Sequence, residues 1–296
     1  MAAILRNFCK FLRKFTGYTD AMPTKAAALA RSSHPGPSIA VTIITVGLGF
    51  GAGLDIVPLV FLGLSMLAGQ LSVGLSNDWI DADRDAAVRR RDKPIVLDQI
   101  GASAVRNAAF VCAGLMILLS LPLGWAADLA LIGSIGAAWI YNAWLKRSVF
   151  SIVAYAVGFG LLPAIATLSR VTPAAPAIWA LAVGALLGIA AHFANTLPDL
   201  DDDAATGVTG LPQRLGRRWS SALTYAVLLV ASVLEFLGTG AFGFPPADIG
   251  LGISIVIVIV GATIILRPTR WHFRLIILAA IVDVVVLMFA GARLVS

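Results

Sequence analysis

Apolar residues along this chain come in long blocks of about 20, the length a helix needs to cross a hydrocarbon core of about 30 Å. Short polar stretches separate the blocks. The pattern predicts about nine membrane-spanning helices, at 37–54, 58–76, 102–122, 126–145, 150–169, 174–194, 220–241, 249–266 and 275–293. The expected fold is an all-α polytopic membrane protein, its helices bundled around a central cavity.

Composition agrees with the pattern. At 59% hydrophobic and 13% charged residues, with a mean hydropathy of +0.90, the 296-residue chain is not an ordinary soluble domain. Of 22 Lys and Arg residues, all but Arg170 and Arg293 fall in the N-terminal stretch or beside the loops after the second, fourth, sixth and eighth blocks. Short basic loops stay on the cytoplasmic side, so the N-terminus is expected inside. The net charge of +6 belongs to this asymmetry. No basic face interleaved with aromatics speaks for nucleic acid, and nothing in the sequence implies a protein partner.

Residues 1–31 have no uninterrupted apolar core of the kind a cleavable signal needs. They read as a basic tail, either disordered or an interfacial helix with Ile4, Phe8, Phe11 and Phe15 on one face and Arg6, Lys10, Arg13 and Lys14 toward lipid headgroups. The membrane domain is expected over 32–296. Cys9 and Cys112 make no disulfide or metal framework.

Half of the 16 acidic residues lie in two clusters, Asp78, Asp81, Asp83 and Asp85 in "NDWIDADRD", then Asp199, Asp201, Asp202 and Asp203 in "NTLPDLDDDAATG". Both follow even-numbered blocks and so share one side of the membrane. Both repeat Asn-x3-Asp-x3-Asp, as Asn77/Asp81/Asp85 and Asn195/Asp199/Asp203. At that spacing the side chains share a helix face, while Asp83 points away from it. Facing carboxylates repel unless a cation sits between them, and a hard divalent ion with oxygen ligands is the natural occupant. Mg2+ usually takes one or two carboxylates plus phosphate oxygens, so a diphosphate carrying a lipid tail is the expected substrate type. Pro198 either kinks the sixth block or opens a fresh helical turn.

These residues resemble the UbiA-type membrane prenyltransferases, which join isoprenoid diphosphates to aromatic or other lipophilic acceptors. N-D-x-x-D-x-x-x-D is complete as Asn77, Asp78, Asp81 and Asp85, and D-x-x-x-D stands at Asp199 and Asp203. Lys93-Pro94, "YNAWLK" from Tyr141 to Lys146 and "RSSHP" from Arg31 to Pro35 are similar to further family elements. Two positions depart from the pattern: Lys93 stands where arginine is commoner, and Thr196 where many members carry aspartate.

The alanine-rich, lysine-poor composition points to a bacterial cell membrane, and the side shared by the two clusters puts the site near the cytoplasmic face. The resemblance implies a Mg2+-dependent membrane enzyme with a lipophilic acceptor. It casts Asn77, Asp81, Asp199 and Asp203, then Asp78 and Asp85, as metal-diphosphate residues. Arg31, Lys93, Lys146 and Asn195 become diphosphate contacts. Asp81, Asp199 and Tyr141 carry catalysis, with Tyr141 orienting a phosphate or a metal-bound water; an interfacial anchor is its plainer role.

Among polar residues inside the blocks, Gln70, Ser72, Tyr155, His192 and Asp283 are the remaining candidates. A transporter or cation-binding membrane protein is the competing class, since carboxylates near helix ends also mark cation pathways. Against it, both clusters sit on one side rather than at the midplane. A CDP-alcohol phosphotransferase would need a glycine after the aspartate, where the chain has Asp81-Ala82-Asp83-Arg84.

Overall fold

The computed structural model describes residues 24–197, 200, 210–264 and 270–296. The proposed interfacial helix with Cys9, Pro198, and the second acidic cluster at Asp199, Asp201, Asp202 and Asp203 lie outside the described residues. Among the described residues every regular element is helical, apart from one isolated β-bridge between Pro176 and Val295.

The chain begins with a short helix α1, Lys25–Ser32, capped by the Thr24 hydroxyl, which accepts the Ala27 N–H at 3.2 Å. Helices α2 (Pro35–Gly51) and α3 (Ile56–Ile80) follow, and α4 (Ala82–Ala87) is joined to α3 through Asp81 alone. Next come α5 (Ala102–Ser120) and α6 (Trp125–Ala143). The block at 150–169 is not one rod: it divides at Leu161 into α7 (Ser151–Gly160) and α8 (Leu162–Leu168). Pro163, which has no N–H to donate, sits in the first turn of the second piece, where that group is not needed. Helices α9 (Ile178–Thr196), α10 (Leu211–Gly238), α11 (Pro245–Ile264) and α12 (Arg270–Phe289) complete the order. Helix α10 starts nine residues before the block drawn at 220–241 and bends at Gly216, whose φ is 72°.

Among the described residues six helical segments are long and apolar enough to cross a membrane: Ile56–Ile80, Ala102–Leu123, Ser151–Leu168, Ile178–Thr196, Leu211–Gly238 and Pro245–Thr263. Pro35–Gly51 is apolar but shorter. Serines inside these apolar helices satisfy themselves locally. Ser65, Ser72 and Ser76 each donate to the carbonyl three residues earlier.

Neighbouring helices close a ring. Helix α2 packs on α3, α3 on α5 and α6, α6 on α7, α7 on α9, α9 on α10, α10 on α11, α11 on α12, and α12 returns to α2. One apolar core runs through it, from Leu48, Leu62 and Met66 by way of Leu131 and Ile165 to Leu228 and Ile276. Two glycines set close approaches. A Cβ on Gly188 of α9 would overlap the Tyr155 carbonyl of α7, and one on Gly51 would overlap the Met288 carbonyl of α12. Backbone cannot yield as a flexible side chain can. Gly188→Val is therefore expected to lower the thermal midpoint in detergent, reflecting a loss of about 1–3 kcal/mol from overpacking. An unchanged midpoint would mean that α7 and α9 separate freely.

Candidate active site

The last turns of α3 carry the first acidic cluster to the mouth of the ring. The helical bonding pattern runs through the junction with α4, since the Asp81 N–H donates to the Asn77 carbonyl at 3.0 Å and the Asp85 N–H to the Asp81 carbonyl at 2.8 Å. Asp78, Asp81 and Asp85 consequently share the inward face and are 3%, 3% and 2% exposed. Asp83 faces solvent.

Buried carboxylates need positive partners, and each has them. Lys93 Nζ lies 2.5 Å from Asp78 Oδ1 and 3.9 Å from Asp85 Oδ2. Lys146 Nζ pairs with Asp81 Oδ1. Arg84 Nη2 bridges Asp81 Oδ2 at 3.0 Å and Asp85 Oδ1 at 3.3 Å. Burial pushes the Lys146 ammonium below the usual lysine range, and Asp81 pulls it the other way.

Below the cluster opens a cavity of about 290 Å³, mostly apolar in its lining. Asn77, Tyr141, Asn142, Tyr155 and Asn195 surround its polar end, while Val41, Val73, Phe159 and Leu162 line the rest. The Tyr155 ring lies edge-on to Tyr141 of α6, centroids 5.0 Å apart, and 4.7 Å from the His192 ring of α9, which ties α6, α7 and α9 together at one point. Asn77 Nδ2 reaches Asp81 Oδ2 at 3.4 Å and Asn142 Oδ1 at 3.3 Å.

Of the residues the sequence singles out, Asn77, Asp78, Asp81, Asp85, Lys93 and Lys146 meet in one network, beside Tyr141 and Asn195. Arg31 is exposed and turns elsewhere. It donates to Gln99 Oε1 at 3.1 Å and to the Asp92 carbonyl at 3.3 Å, holding the loop that brings Lys93 inward. His192 is buried behind the cavity wall, its ring 4.7 Å from that of Tyr155 and its Nε2 2.9 Å from Ser151 Oγ. Asp283 lies outside the cavity lining, bonded to Ser232 at 2.5 Å and Ser254 at 3.4 Å. Thr196 donates to its own helix, at the His192 carbonyl.

Three residues escape the sequence reading. His34 caps α2 in a left-handed conformation, φ 51°, and its Nε2 is 2.7 Å from Asp78 Oδ1. A non-glycine residue held there is strained, which is common where a side chain must be aimed. Asn142 is fully engaged with Ser76, the Val73 carbonyl and Asn77. Its signal was its place inside "YNAWLK". Arg84 was legible too, three residues after Asp81 and next to Asp85.

Among the described residues no three His, Cys, Asp or Glu side chains converge as a ready-made metal cage. The donor chemistry still fits Mg2+, which needs hard oxygens and accepts one or two carboxylates with phosphate oxygens completing its shell. Asp81 and Asp85, on one face and beside the cavity mouth, supply such donors.

The comparisons with known proteins agree with this architecture. The chain is 33% identical over 206 residues to the bacteriochlorophyll synthase 33 kDa chain of Cereibacter sphaeroides, a match covering 64% of this chain and 65% of that one. It is 30% identical over 196 residues to protoheme IX farnesyltransferase of Chloroflexus aurantiacus, covering 61% of this chain and 32% of the relative. Among solved structures, a UbiA homolog from Archaeoglobus fulgidus bound to GPP and Mg2+ superposes with a TM-score of 0.70 at 14% identity, over 90% of this chain and 99% of that one. The apo UbiA homolog from Aeropyrum pernix K1 gives 0.64 at 16% identity, over 83% and 96%. These likenesses are of fold. A family profile matches residues 38–291, and the chain belongs to the UbiA prenyltransferase family.

Proposed function

We propose that this protein is an integral-membrane prenyltransferase that moves an isoprenyl group from its diphosphate to a lipophilic acceptor, with Mg2+ as cofactor. The observation that carries this reading is the joining of a cation-neutralised aspartate face to a mostly apolar cavity at one helix end. The division into a tail at 1–31 and a nine-span domain at 32–296, with the N-terminus and the site on the cytoplasmic side of a bacterial cell membrane, belongs to the same proposal. Its support is the distribution of Lys and Arg.

Bound Mg2+ would neutralise charge developing on the leaving diphosphate. Asp81 and Asp85, with Asn77 and Asp78 beside them, are the residues of the described chain that would hold it. Asp199 and Asp203 are assigned the facing half of the site by their matching spacing. Lys93 and Lys146 stand beside these aspartates as fixed positive charge for the diphosphate. Asn195 and Tyr141 border the polar end of the cavity, where the diphosphate and the reacting carbon meet. Tyr141 orients a phosphate oxygen or a water there. The apolar walls suit the prenyl chain and keep water from the carbocation. Arg31 acts through the loop it holds.

The test is thermal stability in detergent with geranyl diphosphate, with and without Mg2+, followed by product analysis. A ligand at 100 times its Kd stabilises by about 2.7 kcal/mol. The midpoint should rise only when both are present. Mass spectrometry of reactions offered protoheme IX, a bacteriochlorophyll precursor or a membrane lipid extract then identifies the acceptor, the first two following the names of the relatives. A protein indifferent to every isoprenyl diphosphate at saturating Mg2+ would not be a prenyltransferase.

A further inference from the structure

Among the described residues the first acidic cluster carries its own counter-charge. Three buried carboxylates, Asp78, Asp81 and Asp85, face three side-chain cations, Lys93, Lys146 and Arg84. Both oxygens of Asp81 and Oδ1 of Asp85 are in contact with these cations, so a divalent ion arriving alone must displace one of them. The three cations are not equally fixed. Lys93 and Lys146 are 10% and 7% exposed at their side chains, whereas Arg84 is 25% exposed and spans the two aspartates proposed as metal ligands.

We propose that Arg84 is a resident counter-ion of the metal site, standing between Asp81 and Asp85 in the free enzyme and passing to the diphosphate when substrate binds. Metal and diphosphate are then bound cooperatively, each poorly alone. This inference rests on the prenyltransferase reading and adds to it a residue and an order of assembly.

The physical reason is the cost of an unpaired charge. For a metal ion alone to reach Asp81 and Asp85, Arg84 must give up two charge-assisted contacts and gain only water in exchange. When a diphosphate enters with the metal, the guanidinium trades carboxylate oxygens for phosphate oxygens, which suit its planar fork equally well. Asp81 and Asp85 would then be free to hold the metal. Each ligand thereby removes the obstacle to the other, and the coupling must be reciprocal. Arg84 also has the shortest path to make this move, being on the same helical stretch as both aspartates and the most exposed of the three cations.

Mn2+ binding followed by electron paramagnetic resonance tests this on the whole protein in detergent, without and with geranyl S-thiolodiphosphate, whose carbon–sulfur bond resists ionisation. Wild-type protein should bind Mn2+ at least about tenfold more tightly with the analogue than without it. Arg84→Met should tighten Mn2+ binding in the absence of analogue, weaken the analogue itself, and reduce the coupling by about tenfold or more. Arg84→Lys should keep most of it. Chelation of Mn2+ by the analogue in water is the same for all three proteins, so differences among them report the side chain. Wild-type protein that binds Mn2+ equally well with and without analogue would overturn the proposal, and that comparison needs no variant. So would an Arg84→Met protein with wild-type coupling. Failure of the analogue to bind in any arm has a different meaning: it removes the prenyl-diphosphate site itself, and the role of Arg84 with it.

Discussion

Asp81→Asn is expected to lower prenyl transfer by at least about 10²-fold, the scale of losing one electrostatic stabiliser worth about 2.7–4 kcal/mol. The substitution keeps side-chain volume and one oxygen that can accept from Lys146, but removes the charge that a metal ion requires. Asp81 is 3% exposed and pairs with both Lys146 and Arg84, so the variant should also melt at a lower temperature while still folding. Turnover is therefore compared per folded molecule, from ligand-free melting curves. Asp83→Asn is the matched control, because Asp83 has the same chemistry on the exposed face of the same stretch. It should stay within about twofold of wild type, as surface substitutions usually do. Equal damage from both changes would mean that net charge at the mouth, rather than one inward face, is what the reaction needs.

Lys146→Met should be comparably severe for a different reason. Lys146 is 7% exposed and pairs with Asp81, beside the polar end of the cavity. Removing its charge deprives the departing diphosphate of one fixed cation, for an expected loss of about 10²-fold or more in kcat/KM for the isoprenyl diphosphate. Arg84 still accompanies Asp81, so the buried carboxylate is not left alone and the fold survives. Lys146→Arg should recover part of the loss by restoring charge. Arg147→Gln, one residue on and exposed, should cost little. Wild-type kcat/KM in Lys146→Met would sever the link between "YNAWLK" and catalysis.

Much of the helical layout was legible because an apolar block of about 20 residues has few ways to satisfy its backbone in a membrane other than as a helix. The block at 102–122 falls on α5 with its short extension, and 126–145 falls on α6 within two residues. Where edges moved, the cause is local. Pro163 divides one block, and a short polar helical piece ahead of the bend at Gly216 moves the start of α10 back to Leu211. Periodicity also placed Asp83 opposite Asp81 and Asp85, because a helix turns by a fixed angle per residue whatever surrounds it.

Periodicity by itself thus placed most of the long helices and told which aspartates of the first cluster share a face, since both follow from the rules of a single helix. Which cation serves which carboxylate was decided only when the helices packed. Lys93 arrives on a loop held by Arg31, Lys146 from the turn after α6, and His34 from a strained cap on α2, brought beside α3 from 15, 65 and 44 residues away respectively. Arg31 and Lys146 look alike as basic residues in family elements, yet one is exposed on α1 and holds a loop, and the other ends in a buried pair. Sequence spacing carries no information about such distances through space. They depend on how closely whole helices approach, and positions as small as Gly51 and Gly188 set that approach.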